Sequence, residues 1–486
     1  MKVLYKYLLI PALSVLVLSQ ESCKKDFLEI QPKGYTIAKT TSDYEQLLNA
    51  TYLSTSFTAS GYLADDMAAQ EMYLDGALLR AQRLFKFSDS VYLPDELPTE
   101  LADSLSYIQR LYIFNKVINE VMQSQNGTDQ QKLALQAEAK VGRAVCLLSF
   151  LNDFSKPYNA ATADKDLGVP IITKADVTQT QFVRATIKEG YDFMIKDLTD
   201  ALPYLGEVVN RRKFSRAAAE FYLGRIYLYM ADFANARNHI DGAFAALAGS
   251  AIPLELYDYN VVLDPNSADT WYPDVIFLLA NKPLAANDRQ IIYNITSSTF
   301  FFNSANTFVT SPQTAALYDP SDKRLNLYSN TELFGDFEFP KGMRRYSAGF
   351  TQDIGPSLPD LYLMRAELKA RANDLAGAQA DVEFLRNNRM PANIAVVPSN
   401  IASDQTALVK FILDERIREF ATSGLRWLDQ RRLSVDPLYS NTVRYTHEIY
   451  DADGNVVATY TLRPERFALK FGQRMLNENK GLVENP

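Results

Sequence analysis

One short pattern occurs twice in this chain. Ala231-Asp232-Phe233-Ala234-Asn235-Ala236 recurs as Asn373-Asp374-Leu375-Ala376-Gly377-Ala378, and each copy joins two segments with apolar residues at helical spacing. A helix–turn–helix unit of this kind cannot bury its apolar face alone. Repeated units therefore have to stack side by side into a continuous scaffold.

Around the first copy, Leu223-Gly224-x-x-Tyr227 precedes the turn and Ala236, Ile240 and Ala243 follow it. This is the tetratricopeptide arrangement, in which small residues let two antiparallel helices approach and larger ones fill the groove. The second copy keeps Ala366 and Ala378 in the equivalent places. A further helix of this type is expected at 138–152, paired with 187–202, where Ile187, Tyr191, Ile195, Leu198 and Leu202 form a stripe ended by Pro203. Another stripe runs Val409, Ile412, Leu413, Ile417, Phe420 and closes at Gly424, where glycine suits a left-handed cap. Residues 250–355 lose the helical period and fill with Pro, Asn, Asp, Tyr and Phe. Residues 443–462 alternate on both sides of Asp453-Gly454-Asn455, which predicts a β-hairpin. Asp451, Asp453 and Asn455 look like half of a calcium loop, but the rest of that pattern is missing and they read as the turn. The expected fold is mainly α, a superhelical scaffold of tetratricopeptide-like pairs with loop-rich insertions and a minor hairpin.

Composition narrows the function. The 486 residues are 47% hydrophobic and 22% charged, with a formal charge of −8, which argues against a nucleic-acid partner. Only 2 histidines occur, so a histidine metal site or a Ser-His-Asp triad would need His239 or His447; both read as packing or surface residues, and no metal or cofactor is expected. Tyr and Phe are abundant at 28 and 27, against 2 Trp, so any aromatic platform rests on the former.

The first residues read as an export signal. Lys2 and Lys6 precede an uncharged run from Tyr7 to Leu18, and Ser22 stands before Cys23. That run falls well short of the roughly 20 apolar residues that span a bilayer. A cysteine at the cleavage point implies a lipid-anchored protein acylated at Cys23, although Gln20 and Glu21 depart from the usual residues there. Cys146 sits in an apolar helical pattern and reads as a buried free thiol, so no disulfide is expected.

Cys23-Lys-Lys-Asp-Phe27-Leu28-Glu29-x-x-Pro32-x-Gly34 is similar to the opening of the SusD/RagB nutrient-binding lipoproteins of Bacteroidetes outer membranes. The resemblance continues through Asp197-Leu198-x-x-Ala201-x-x-Tyr204-Leu205, the repeat at 214–243, Asp322-x-Arg324 and Asp360-Leu361-Tyr362-Leu363-Met364-Arg365-Ala366-Glu367. It is most specific at Glu415-Arg416-x-x-Glu419-Phe420 and Gly424-x-Arg426-Trp427-x-Asp429-x-Arg431-Arg432, and it ends at Asn477 through Pro486. The 415–432 motif reads as an ion-pair network fixing a helix and its exit turn, with Trp427 as packing anchor, rather than as a catalytic or ligand site.

The resemblance implies a non-enzymatic receptor on a SusC-like TonB-dependent outer-membrane barrel, capturing oligomers and handing them to it. Oligosaccharides are the first expectation for the cargo; a peptide receptor of the RagB type and a scaffold without ligand are the alternatives. Irregular loops on a rigid scaffold suit such binding, and two segments qualify, 62–92 and 293–308. Tyr62, Asp66, Tyr73, Asn294 and Phe302 are candidate contacts there, with Trp271 beside them. The expected organisation is a signal peptide at 1–22 and one body at 23–486. Its N-terminal repeat part spans 23–250, and 251–486 holds the irregular insertion, repeat helices and hairpin.

Overall fold

Short polar side chains set where the helices begin. Thr40, Thr128 and Thr186 each form a reciprocal capping box, with Asp43, Gln131 and Glu189 respectively, and start the helices Thr41–Leu48 (α1), Asp129–Phe154 (α3) and Ile187–Ala201 (α4). Between α1 and α3 runs Leu97–Glu120 (α2). Ser215 caps Arg216–Tyr229 (α5) and Asp232 caps Phe233–Leu247 (α6). Leu358–Arg371 (α7) is followed by Leu375–Asn387 (α8) on the Asp374 cap, by Gln405–Phe420 (α9) on Asp404, and by Leu425–Ser434 (α10). The computed structural model describes residues 38–56, 59–92, 97–271, 274–275, 278–279, 281–297, 306–349 and 351–486. Cys23, the expected signal peptide at 1–22 and Phe302 lie outside them.

The two copies of the repeat fold the same way. Ala231 and Asn373 both take the left-handed conformation, with φ of 59° and 62°, and the following aspartate caps the next helix in each. The chain turns α5 back along α6 and α7 back along α8, and α6 packs on α7, so the pairs stack. α2, α3, α4 and α5 stack in sequence on the other side, as the 187–202 stripe implies. One large apolar core threads these helices; a second lies between α7, α8 and α9, around Leu363, Ala366, Val382 and Ile412.

Gly224 lets α5 and α6 touch. A methyl group there would stand 2.5 Å from Cδ1 of Ile240 and 3.3 Å from the Ala236 carbonyl, and Ile240 is itself fully buried. Gly224→Ala is therefore expected to destabilise the protein by about 1–3 kcal/mol, as overpacking of a closed interface does. Urea denaturation reads this directly; an unchanged midpoint would mean that the pair yields.

The hairpin is present as Thr446–Tyr450 (β3) and Val456–Thr461 (β4), turning at Gly454 with φ of 83°. Asp451 accepts from the backbone and side chain of Asn455 across that turn. β3 also pairs in parallel with Met67–Gln70 (β1), which pairs antiparallel with Phe308–Thr310 (β2). This four-stranded sheet, in the order β4-β3-β1-β2, joins the 62–92 and 293–308 segments to the hairpin. His447 on β3 is buried between Phe85 and Phe87, its ring nitrogens 2.8 Å from the Phe85 and Ala64 carbonyls. His239 stacks on Tyr227 and meets Glu220 at 2.7 Å. Cys146 is a buried free thiol whose pKa burial pushes up to about 12. No described helix is long and apolar enough to cross a membrane.

Candidate functional site

The 415–432 segment folds inward. Glu415 is wholly buried and meets Arg386, Arg418 and Arg324, while Glu419 takes Arg324 and Arg389. Arg416, on the other side of α9, bridges Asp360 and Asp429, and Asp429 also holds Arg432. Arg426 pairs with Asp65 at 2.7 Å, Trp427 stacks on Phe467, and Arg431 donates to the carbonyls of Phe467 and Ser155. Asp322 closes on Arg324. Gly424, with φ of 90°, passes so close to Ser60 and Gly61 that a Cβ would stand 2.9 Å from Gly61 N. These buried pairs hold one another inside the protein, and the Asp65–Arg426 pair ties the segment after α9 to the first loop segment. Among the described residues no group of His, Cys, Asp or Glu is arranged to hold a metal.

The ligand candidates divide by burial. Tyr62 packs edge-on against Phe308 at 5.3 Å. Trp271 is 4% exposed, held between Tyr257 and Tyr259 in the wall of a cleft of about 780 Å³ that Asn281, Asn287 and Arg289 also line. Asn294 is buried and its backbone N–H donates to the Arg211 carbonyl. Asp66 is fully buried and accepts from the Thr422 N–H at 2.7 Å. Tyr62, Asp66, Asn294 and Trp271 are thus largely buried side chains, Trp271 within the wall of the cleft.

Asp66 has a consequence of its own. Burial, aided by the adjacent Asp65 carboxylate and opposed by the Thr422 N–H and Arg426, pushes its pKa up to about 6. A raised carboxylate pKa stabilises the fold at low pH, and that contribution fades as pH rises through about 6. Asp66→Asn, which keeps an acceptor for Thr422, is expected to improve relative to the parent by about 1 kcal/mol between pH 5 and pH 8. Denaturation midpoints at the two pH values check it; a constant difference contradicts it.

Tyr73 alone among the described candidates keeps a partly open ring. Its hydroxyl donates to Oε2 of Glu332, and its ring meets Phe337 edge-on at 6.3 Å. Burial, together with that carboxylate, raises the phenol pKa. Oε1 of Glu332 accepts from the Phe337 N–H at 3.2 Å, closing a tight turn over residues 331–338. Asn306 clamps the same turn, accepting from Leu333 N at 2.6 Å and donating to its carbonyl at 3.3 Å. At the tip, Phe334 is 73% exposed with φ of 69°. Glu332, Phe334 and Phe337 lie outside both the 62–92 and the 293–308 segments. The available signal was the alternation of acids and aromatics around Gly335 in Thr331-Glu-Leu-Phe-Gly-Asp-Phe-Glu338.

Residues 26–228 match the family described as "starch-binding associating with outer membrane", and residues 358–486 match the SusD family. The chain belongs to the SusD/RagB family. Solved structures agree on the fold. A putative sugar-binding protein from Bacteroides vulgatus superposes with a TM-score of 0.67 at 19% identity, over 93% of this chain and 99% of that one. A SusD superfamily protein from Bacteroides thetaiotaomicron gives 0.66 at 18%, over 92% and 100%. The surface glycan-binding protein A from Bacteroides uniformis gives 0.62 at 14%, over 92% and 99%. No curated protein sequence matches the chain.

Proposed function

We propose that this protein is a non-enzymatic oligosaccharide receptor, tethered to the outer membrane through Cys23, that passes its cargo to a SusC-like TonB-dependent barrel. Membership of the SusD/RagB family carries the reading, and full-length likeness to sugar- and glycan-binding proteins supports the cargo class. The surface best suited to a ligand is the one around Tyr73, where a clamped turn presents aromatic rings beside amide and carboxylate groups. Rigid loops of this kind bind without first being ordered, so little affinity is lost to entropy.

Purification of the tagged chain from native outer membranes tests the complex and the tether. A TonB-dependent barrel should co-purify, and Cys23→Ala should move the protein from the detergent phase to the aqueous phase. Recovery without a barrel, or unchanged partitioning of the variant, would contradict the corresponding half of the proposal.

A further inference from the structure

The surface around Tyr73 has an uneven charge. Residues 71–75 are Glu-Met-Tyr-Leu-Asp and residues 331–338 are Thr-Glu-Leu-Phe-Gly-Asp-Phe-Glu; together they hold Glu71, Asp75, Glu332, Asp336 and Glu338 and no lysine or arginine, while Arg345, which donates to the Thr331 carbonyl at 2.8 Å, is buried. The two segments are neighbours, because Tyr73 donates to Glu332 and meets Phe337. Glu71, Asp75, Asp336 and Glu338 are all exposed.

Phe334 lies at the tip of the 331–338 turn, between Glu332 and Asp336 in the chain. A bulky side chain disfavours the left-handed backbone it occupies, yet the Asn306 clamp on Leu333 and the Glu332–Phe337 closure hold it there. The result is an apolar ring displayed to solvent on a rigid support. Such a ring stacks on the apolar face of a sugar, and the surrounding carboxylates accept hydrogen bonds from its hydroxyls. The same carboxylates repel an anion: like charges a few ångströms apart at a surface oppose each other, and at physiological salt this repulsion is largely screened only past about 8 Å.

We infer that Phe334 is the stacking platform of this surface and that its ligand is an uncharged glycan, with uronate-bearing and sulfated chains rejected by the acidic rim. This rests on the receptor reading above.

Calorimetric titration of the full chain in detergent tests it, with panels of neutral hexasaccharides and of oligouronates of the same length. At least one neutral hexasaccharide should bind tenfold or more tightly than every oligouronate. Phe334→Gly, which suits the left-handed backbone, should weaken that binding at least tenfold while leaving the melting temperature equal or higher. Asp336→Asn combined with Glu338→Gln should narrow the preference to under threefold. Oligouronates binding as tightly as neutral glycans, or full affinity in Phe334→Gly, would overturn this inference and leave the receptor reading standing. No binding to either panel would overturn the carbohydrate receptor itself.

Discussion

Replacing Glu415 with glutamine is expected to cost about 3–5 kcal/mol of folding stability, the range seen when one member of a buried ion pair is removed. Arg324, Arg386 and Arg418 all converge on this one carboxylate, which has no exposed surface. Asp322, Glu415 and Glu419 already face four guanidiniums, those of Arg324, Arg386, Arg389 and Arg418, and the variant leaves two acids against the four. Glutamine also turns an amide N–H toward groups that can only donate. Burial by itself would raise the Glu415 pKa, but Arg418, Arg324 and Arg386 outweigh it and hold the carboxyl far below its ordinary range. A lowered pKa gives stability that is present above about pH 4.3 and lost as pH falls. The gap between parent and variant should therefore narrow in acid. Urea denaturation at pH 7 and pH 3.5 measures both effects; a loss below 1 kcal/mol at pH 7 would show that the network is dispensable.

Arg184→Ala should destabilise by about 3 kcal/mol or more, since each buried carbonyl stripped of its donor costs roughly 1–3 kcal/mol. This side chain spreads its guanidinium over four carbonyls, those of Gly168, Val483, Phe154 and Leu167, and lies 5.2 Å over the Phe471 ring. Burial, opposed by Glu484, lowers its pKa to about 10, so it is still charged at neutral pH. It ties the long connection after α3 to the C-terminal segment, where Asn479 brackets Phe182 and Asn485 donates to Phe154 and Leu469. Arg184→Lys should rescue little, because one ammonium cannot span the four acceptors. Limited proteolysis gives the second readout: new cleavage within 155–186 is expected in the variant. Parent-like resistance together with parent-like stability would contradict this role.

The helical scaffold could be read from sequence because its signal is periodic and local. The two Asp-capped turns, the small residues at 224, 236 and 378, and the alternation on either side of Gly454 each specify their own geometry. The loop residues carry no such signal. Asp66 and Tyr62 have the composition of a ligand loop, yet their burial depends on Thr422 and Phe308, far away in the chain. Trp271 is covered by Tyr257 and Tyr259 for the same reason. Phe334 is the converse case: an aromatic residue in an irregular stretch is expected inside, and the turn that the Asn306 and Glu332 clamps close presents it outward. Arg184 likewise looks like any arginine until the four carbonyls that it serves are brought together.

The most direct test of the receptor assignment is calorimetric titration of the full chain in detergent with oligosaccharides and with a mixed peptide pool. Saturable binding to at least one class of oligosaccharide, weakened by Tyr73→Ala, is expected, with no saturable binding to peptides. Saturable binding to peptides alone, or to neither, would contradict it.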